Sequence, residues 1–181
     1  VVYDGEVYGM KDRQFHLFED LPGLVDVPME VAVHGRDVPA GRLAAKGWRL
    51  VSALDVTSSH RSYLAYVTGS VAEFSVVKDV YRRFNVGWFS DRSAAYLAHG
   101  RPVVVQGNGV AAHLPTGEGL FEVNDVQEAA EAIERIARER ARHAAAARRI
   151  AEEHLDTTVV LGRFLEELGV PAKGDTRGER R

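Results

Sequence analysis

Short apolar runs alternate along this chain with stretches whose apolar residues fall at helical spacing. The first run, residues 1–3, predicts a strand, followed by turns at Asp4-Gly5 and at Gly9. Residues 11–19 predict a helix in which Phe15, Leu17 and Phe18 are apolar with charges between them. Residues 29–33 predict a second strand ending at His34-Gly35, and residues 38–46 a short helix stopped by Gly47. A third strand follows at 48–53, then a helix over 60–68 that Ser58 or Ser59 can cap, then a short strand at 74–77. Residues 91–99 predict a helix, and 102–106 a near-continuous apolar strand of the kind buried on both faces. Residues 120–123 complete the set. Strands separated by helices at this spacing predict an α/β fold, a Rossmann-like doubly wound parallel sheet of about six strands with C-terminal helices.

The last third reads as helical. Asn124 and Gln127 form a capping-box pattern, with Asn124 as N-cap. Val126, Ala130, Ile133, Ala137, Ala141 and Ala144 then recur at helical steps and make one apolar face. Glu131 with Arg135, and Glu134 with Arg138, fall at i,i+4 on the other side, where such patterning marks a solvated face. Asp156 can cap a final helix whose Val159, Val160, Phe164, Leu165 and Leu168 are expected to face inward and which Gly169 ends. The expected organisation is one domain over residues 1–169 and a flexible charged tail over 170–181.

Composition narrows the function classes. A length of 181 residues suffices for one full domain with a sizeable core. A formal net charge of -3 argues against a dedicated nucleic-acid binder, which carries a basic excess. With no cysteine, disulfides, thiol catalysis and cysteine metal sites are excluded, a usage that suits the cytoplasm. No apolar run approaches the ~18 residues of a transmembrane segment. The opening Val1 lies inside a strand-like run, so the chain is expected to be a piece of a longer protein.

In an open parallel sheet, ligands bind beyond the carboxyl ends of the strands. The segments expected there, 4–11, 34–37, 53–59, 78–87 and 106–109, are all polar. Ser90-Asp91-Arg92-Ser93 opens a helix and admits two readings. In one, Ser90 or Asp91 simply caps the free N–H groups. In the other, those N–H groups, the Ser90 and Ser93 hydroxyls and a forked Arg92 hold a diphosphate, with Asp91 capping the helix, orienting Arg92 or meeting a sugar hydroxyl. Lys11 and Lys78 follow predicted strands and could neutralise a departing diphosphate, Lys78 being better placed than Arg82 or Arg83. Gly107, Asn108 and Gly109, and the Pro115-Thr-Gly-Glu118-Gly119 stretch, are tight loops. They could also let backbone approach a sugar, with Glu118 binding ribose or sugar hydroxyls. His60, His99, His113, His143 and His154 are scattered, so no metal is expected. No phosphate-binding loop ending in Lys-Ser/Thr, no Gly-X-Ser-X-Gly and no dinucleotide fingerprint occurs.

Three blocks carry a resemblance. Glu73-Phe-Ser-Val-Val-Lys78, the block Gly87-Trp-Phe-Ser-Asp-Arg-Ser-Ala-Ala-Tyr-Leu-Ala-His-Gly-Arg-Pro-Val-Val104 and Leu114-Pro-Thr-Gly-Glu-Gly-Leu120 resemble the C-terminal half of bacterial glycosyltransferases with the GT-B architecture. The resemblance runs from Val1 to about Leu168. It implies binding of the nucleoside diphosphate of a UDP-, GDP- or dTDP-sugar, with the acceptor on an N-terminal domain that this chain does not include. It implies no cofactor, because the helix dipole and basic side chains stabilise the leaving diphosphate. By position it places Ser90, Arg92 and Ser93 near the phosphates, Gly107, Asn108 and Gly109 against the donor sugar, and Glu118 at the ribose or sugar. Two departures stand out. Where many retaining members carry a pair of glutamates flanking the helix, this chain has Gly87 and Ala95, and where this branch reads Gln-Asp-Thr-Gly it has Gln106-Gly107-Asn108-Gly109. The isolated chain is therefore expected to be inactive alone. Two other readings stay open: a non-catalytic nucleotide-sugar-binding or protein-interaction module, and a nucleotide-sugar epimerase.

Overall fold

The structure is a computed structural model describing residues 2–170, so Val1 and nearly all of the expected tail, from residue 171, lie outside the described residues. From the amino end, β1 (Val2–Tyr3) and β2 (Glu6–Val7) pair as an antiparallel hairpin that leads into α1 (Lys11–Phe15). After two 3-10 turns come β3 (Glu30–Val33), α2 (Ala40–Ala45) and β4 (Arg49–Ser52), a crossover unit whose strands are parallel, with Glu30 opposite Arg49. Two helices follow, α3 (Ala53–Thr57) and α4 (His60–Gly69). Next come β5 (Glu73–Ser75), α5 (Asp79–Arg83), α6 (Asp91–Ala98), β6 (Val103–Gln106) and β7 (Leu120–Val123). β5, β6 and β7 form a second parallel sheet in that order, Glu73 opposite Val103 and Val103 opposite Leu120. α7 (Val126–Arg138), α8 (Arg140–Ile150), one π-helical turn and α9 (Thr157–Glu167) complete the chain.

The fold is thus α/β and 52% helical, with parallel sheets of two and three strands where about six strands in one doubly wound sheet were expected. The first expected strand joins neither sheet. Asp4 and Gly5 both take positive φ (49° and 75°), and this turn folds Val2–Tyr3 back onto Glu6–Val7. Asp-Gly is a strong hairpin signal, and here it decides the pairing of the strand before it.

β6 alternates its side chains between two cores, as the period of two requires. Val104 joins Phe121, Val123 and Val76 against Ala129, Ile133 and Ile136 of α7, with Phe18, Leu21 and Trp48 closing that layer. Val103 and Val105 join Leu120 and Val77 against Leu97 of α6, Val67 of α4 and Ala147 and Ile150 of α8. β6 is buried at every position, whereas β3 is half-buried at every position.

Three helix details differ from expectation. The N-cap sits one residue later and without the reciprocal bond of a capping box: the Asp125 carboxylate accepts from the Glu128 N–H at 2.9 Å, while Glu128 Oε2 accepts from the N–H of Asn124, the residue before the cap, at 2.7 Å. The long C-terminal helix is two helices, because Glu139 leaves the helical conformation (φ -117°, ψ 42°). On α9, Val160, Phe164, Leu165 and Leu168 face solvent instead of the core.

Candidate functional site

The carboxyl edge of β5 and β6 gathers three segments. The first is the Gly9 turn before α1, held by a chain of polar groups. The Val77 N–H donates to Gln106 Oε1 (3.2 Å), Gln106 Nε2 donates to Gln14 Oε1 (2.5 Å), and Gln14 Nε2 donates to Asp79 Oδ1. The Gly9 N–H closes the chain on Asp79 Oδ2 at 2.7 Å. A Cβ at Gly9 would lie 2.5 Å from Arg13 Cδ and 2.9 Å from Asp79 Oδ2, so only glycine fits. Burial pushes the Asp79 carboxyl up, but hydrogen bonds from Gln14 and Gly9, with the Arg13 and Arg82 charges, outweigh it and hold the group below the usual carboxylate range. This network fixes the start of α1, and with it Lys11.

The second segment, residues 76–89, supplies an aromatic floor. Trp88 stacks on Tyr81 with ring centroids 5.2 Å apart and planes 26° apart. Lys11 Nζ lies 5.3 Å from the Trp88 ring centre, and Lys78 Nζ lies 5.7 Å from that of Tyr81. Burial pushes the Lys11 ammonium below the usual lysine range; the Arg92 and Lys78 charges add to this and Glu73 opposes it. Lys11 therefore feels both the Arg92 and the Lys78 charge.

Only two of these three cations lack a carboxylate partner. Arg92 Nε donates to Glu73 Oε1 at 2.6 Å, and its Nη2 donates to Ser75 Oγ at 2.8 Å. Glu73 has a side chain only 4% exposed, and its other oxygen, Oε2, is buried without a partner. The guanidinium is thus laid back along the sheet, where a fork onto a diphosphate was one of the two readings. Among the described residues neither Lys11 nor Lys78 enters an ion pair.

At the start of α6 the capping reading describes the geometry. Ser90 Oγ and Asp91 Oδ1 both accept from the Arg92 N–H, at 3.3 and 3.0 Å. Ser93 is buried inside the helix packing.

The third segment is the glycine loop after β6. Its N–H groups converge on a residue that the sequence reading did not single out. Glu122 Oε1 accepts from Asn108 (2.7 Å), Gly109 (2.7 Å) and Val110 (3.3 Å), and Oε2 accepts from Ala111 (2.8 Å). Burial pushes this carboxyl up, and the four backbone donors together bring it below the ordinary glutamate range. The sequence signal was an acid in the middle of an otherwise apolar strand, Leu120-Phe121-Glu122-Val123. Asn108 is itself buried, with Nδ2 on the Trp88 carbonyl (3.1 Å) and Oδ1 without a partner. The backbone that was expected to meet a donor sugar therefore turns these N–H groups onto the protein's own carboxylate.

Glu118 is not brought to this edge. It precedes β7, so it lies at the amino edge of the same sheet, where it pairs with Arg142. A cavity of about 600 Å³ opens at the carboxyl edge, lined among others by Glu6, Arg13, Asp79, Arg83, Asn85 and Asn124. Of its arginines, Arg83 pairs with Glu6 at 2.7 Å and Arg13 with Asp79 at 3.5 Å, while Arg82 enters no ion pair among the described residues. Among the described residues there is no cluster of His, Asp and Glu that could hold a metal ion, and no helix long and apolar enough to cross a membrane.

Fold and site together define an α/β protein with a cationic strand edge over an aromatic floor. No protein-family model matches the chain, and no curated protein matches it.

Proposed function

We propose that this chain binds the nucleoside-diphosphate part of an activated sugar, UDP-, GDP- or dTDP-linked, as the donor half of a GT-B glycosyltransferase whose acceptor is held by a separate N-terminal domain. The observation that carries the reading is the state of Lys11 and Lys78. Both ammonium groups rest on aromatic faces at the carboxyl edge of a parallel sheet, and among the described residues neither pairs with a carboxylate. A diphosphate offers what they lack, an anion able to accept charge-assisted hydrogen bonds from two points. On leaving, it gains negative charge that the same two lysines stabilise. Trp88 and Tyr81 then give the ligand a flat apolar surface, and a polar cavity at the same edge has room for a hydroxyl-rich group.

The finer architecture belongs to this reading. The two parallel sheets are the flanks of one doubly wound sheet, a reading supported by the core they share: Val31 and Leu50 of the smaller sheet pack on the same cluster as Phe74, Val104 and Phe121 of the larger.

A second reading, binding without catalysis, is favoured by the state of the carboxylates described above. Glu73 is engaged by Arg92, Glu122 by the loop and Asp79 by Gly9 and Gln14, so each is committed to structure. Under the first reading the catalytic base comes from the acceptor domain. Calorimetric titration of the chain with UDP, GDP and dTDP tests the shared claim, and at least one is expected to bind. No binding of any of them at millimolar ligand would sink both readings. Sugar transfer when an acceptor domain is supplied separates the two, and interconversion of nucleotide sugars without acceptor would point instead to an epimerase.

A further inference from the structure

The loop between β6 and β7 is tied to the rest of the edge through Asn108 and Gly109. The Asn108 carbonyl accepts from the Gly87 N–H at 2.8 Å, and the Asn108 side chain holds the Trp88 carbonyl at 3.1 Å. Gly109 sits so tightly on the same segment that a Cβ there would lie 2.8 Å from the Asn85 carbonyl oxygen. Whatever fixes residues 108 and 109 therefore fixes residues 85–88, and two residues further on Ser90 begins α6. What fixes them is the carboxylate that collects their N–H groups.

We propose that Glu122 is a positioning residue for the nucleotide edge: it sets the 108–111 loop and, through Asn108, the Gly87-Trp88 segment that gives Lys11 its ring and α6 its start. The inference rests on the nucleotide reading given above. The chemistry calls for a carboxylate. Four donors converge, and a carboxylate presents two oxygens that only accept. A glutamine in the same place would turn its NH₂ on one of the backbone N–H groups, two donors face to face, and leave a donor unpaired. Aspartate keeps the charge and both acceptors but is one methylene short of the loop.

Glu122→Gln and Glu122→Asp in the full chain test this, with two readouts. Amide exchange at residues 108–111, followed by NMR, reports the loop without any ligand. Calorimetric affinity for whichever of UDP, GDP or dTDP the wild type binds, referred to the folded fraction, reports the site. In Glu122→Gln the four amides exchange faster while those of β6 and α7 keep their protection, and affinity falls about tenfold. In Glu122→Asp both effects are partly reversed, which a general loss of stability would not produce. Unchanged protection at 108–111 overturns the proposal, and so does a released loop with undiminished affinity. Should Glu122→Gln fail to fold, Glu122→Asp with wild-type affinity overturns it equally. If the wild type binds none of the three nucleotides, the nucleotide reading has failed and the positioning role goes with it. That outcome is distinct from one in which wild type and Glu122→Gln bind alike.

Discussion

The three-stranded sheet has a glycine loop, an acid and nearby bases at each of its edges, and the two edges use them for opposite ends. At the amino edge the acid and the glycine are spent inside the protein. Glu118 pairs with Arg142, the Gly119 N–H donates to His143 Nδ1 at 3.4 Å, and Gly119 packs directly on the backbone of α8. At the carboxyl edge the acids are spent in the same way, but Lys11 and Lys78 rest on aromatic rings and enter no ion pair among the described residues. Loop composition alone does not separate a packed edge from one that faces a ligand. Under the proposed reading the partners do, above all the aromatic rings beneath Lys11 and Lys78.

The largest effect that would sharpen this comparison is on stability at the amino edge. At Gly119, φ is +72° and an added Cβ would lie 2.3 Å from the Ala147 nitrogen and 2.7 Å from the Ala146 carbonyl carbon. These are helix backbone atoms and cannot swing aside. Gly119→Ala is expected to cost about 3 kcal/mol or more in urea unfolding, while the folded fraction keeps its nucleotide affinity. Gly117→Ala, two residues away with φ +97° and nothing within 4 Å, carries only the backbone penalty of about 1 kcal/mol. Equal losses in the two variants would break the claim that this edge is built for packing.

At the carboxyl edge the expected order is reversed. Lys78→Ala and Lys11→Ala should each weaken diphosphate binding by about tenfold to a hundredfold, the worth of a charge-assisted hydrogen bond, with little change in unfolding. For Lys11 the sign with pH follows from its surroundings. Burial and the neighbouring Arg92 and Lys78 charges lower its pKa in the ligand-free protein, and a diphosphate prefers the charged form. Affinity therefore falls as pH rises, starting below the usual lysine value of about 10.4. Lys11→Ala should lose that alkaline decline. If it survives in the variant, Lys11 is not the group responsible.

How far the chain could be read in advance depends on how local each decision is. β6 was legible because Pro102 to Val105 is a continuous apolar run after a Gly-X-Pro stop, and α6 because Ser90 caps it. Lys11 and Lys78 could be named as candidates because the sequence pattern puts each after a predicted strand. Where two residues compete over one step the sequence is ambiguous: Asn124 and Asp125 both suit an N-cap, and the packing of α7 selects the second. Long-range partners were not visible at all. Arg92 lies 19 positions from Glu73, and Glu122 lies 11 to 14 positions from the amides it holds, so only the fold reveals that each is already engaged. The apolar face of α9 was read as inward because such faces seek cover, yet in this chain it meets solvent.

A smaller effect returns to the amino edge through His143. The ring is fully buried against Phe121, with its Nδ1 accepting from Gly119 and its Nε2 without a partner. Burial, followed by the Arg135 charge, pushes its pKa below the ordinary histidine value. The fold thus prefers the neutral ring. Its contribution is complete above about pH 6.5, the unfolded value, and is lost as pH falls below it, since the unfolded chain takes up the proton first. Unfolding midpoints at pH 8 and pH 5.5 should differ more in the wild type than in His143→Gln. An equal difference would remove His143 from the account of this edge.

The smallest expected effect is the most discriminating between sequence and geometry. The resemblance places Glu118 at the ribose or sugar, which predicts that Glu118→Gln weakens nucleotide-sugar binding. The fold places it before β7, at the edge away from Lys11 and Lys78, with its carboxylate on Arg142. That pair is exposed, and the Arg142 guanidinium also holds Glu139 at 2.7 Å, so losing Glu118 leaves the arginine with a partner. Exposed pairs of this kind contribute little to stability. Glu118→Gln and Glu118→Ala should therefore both match the wild type in unfolding and in affinity for nucleotide and nucleotide sugar. A clear loss of affinity for the sugar-linked ligand, with stability unchanged, would mean that the amino edge reaches the ligand after all, and the division between the two edges would fall.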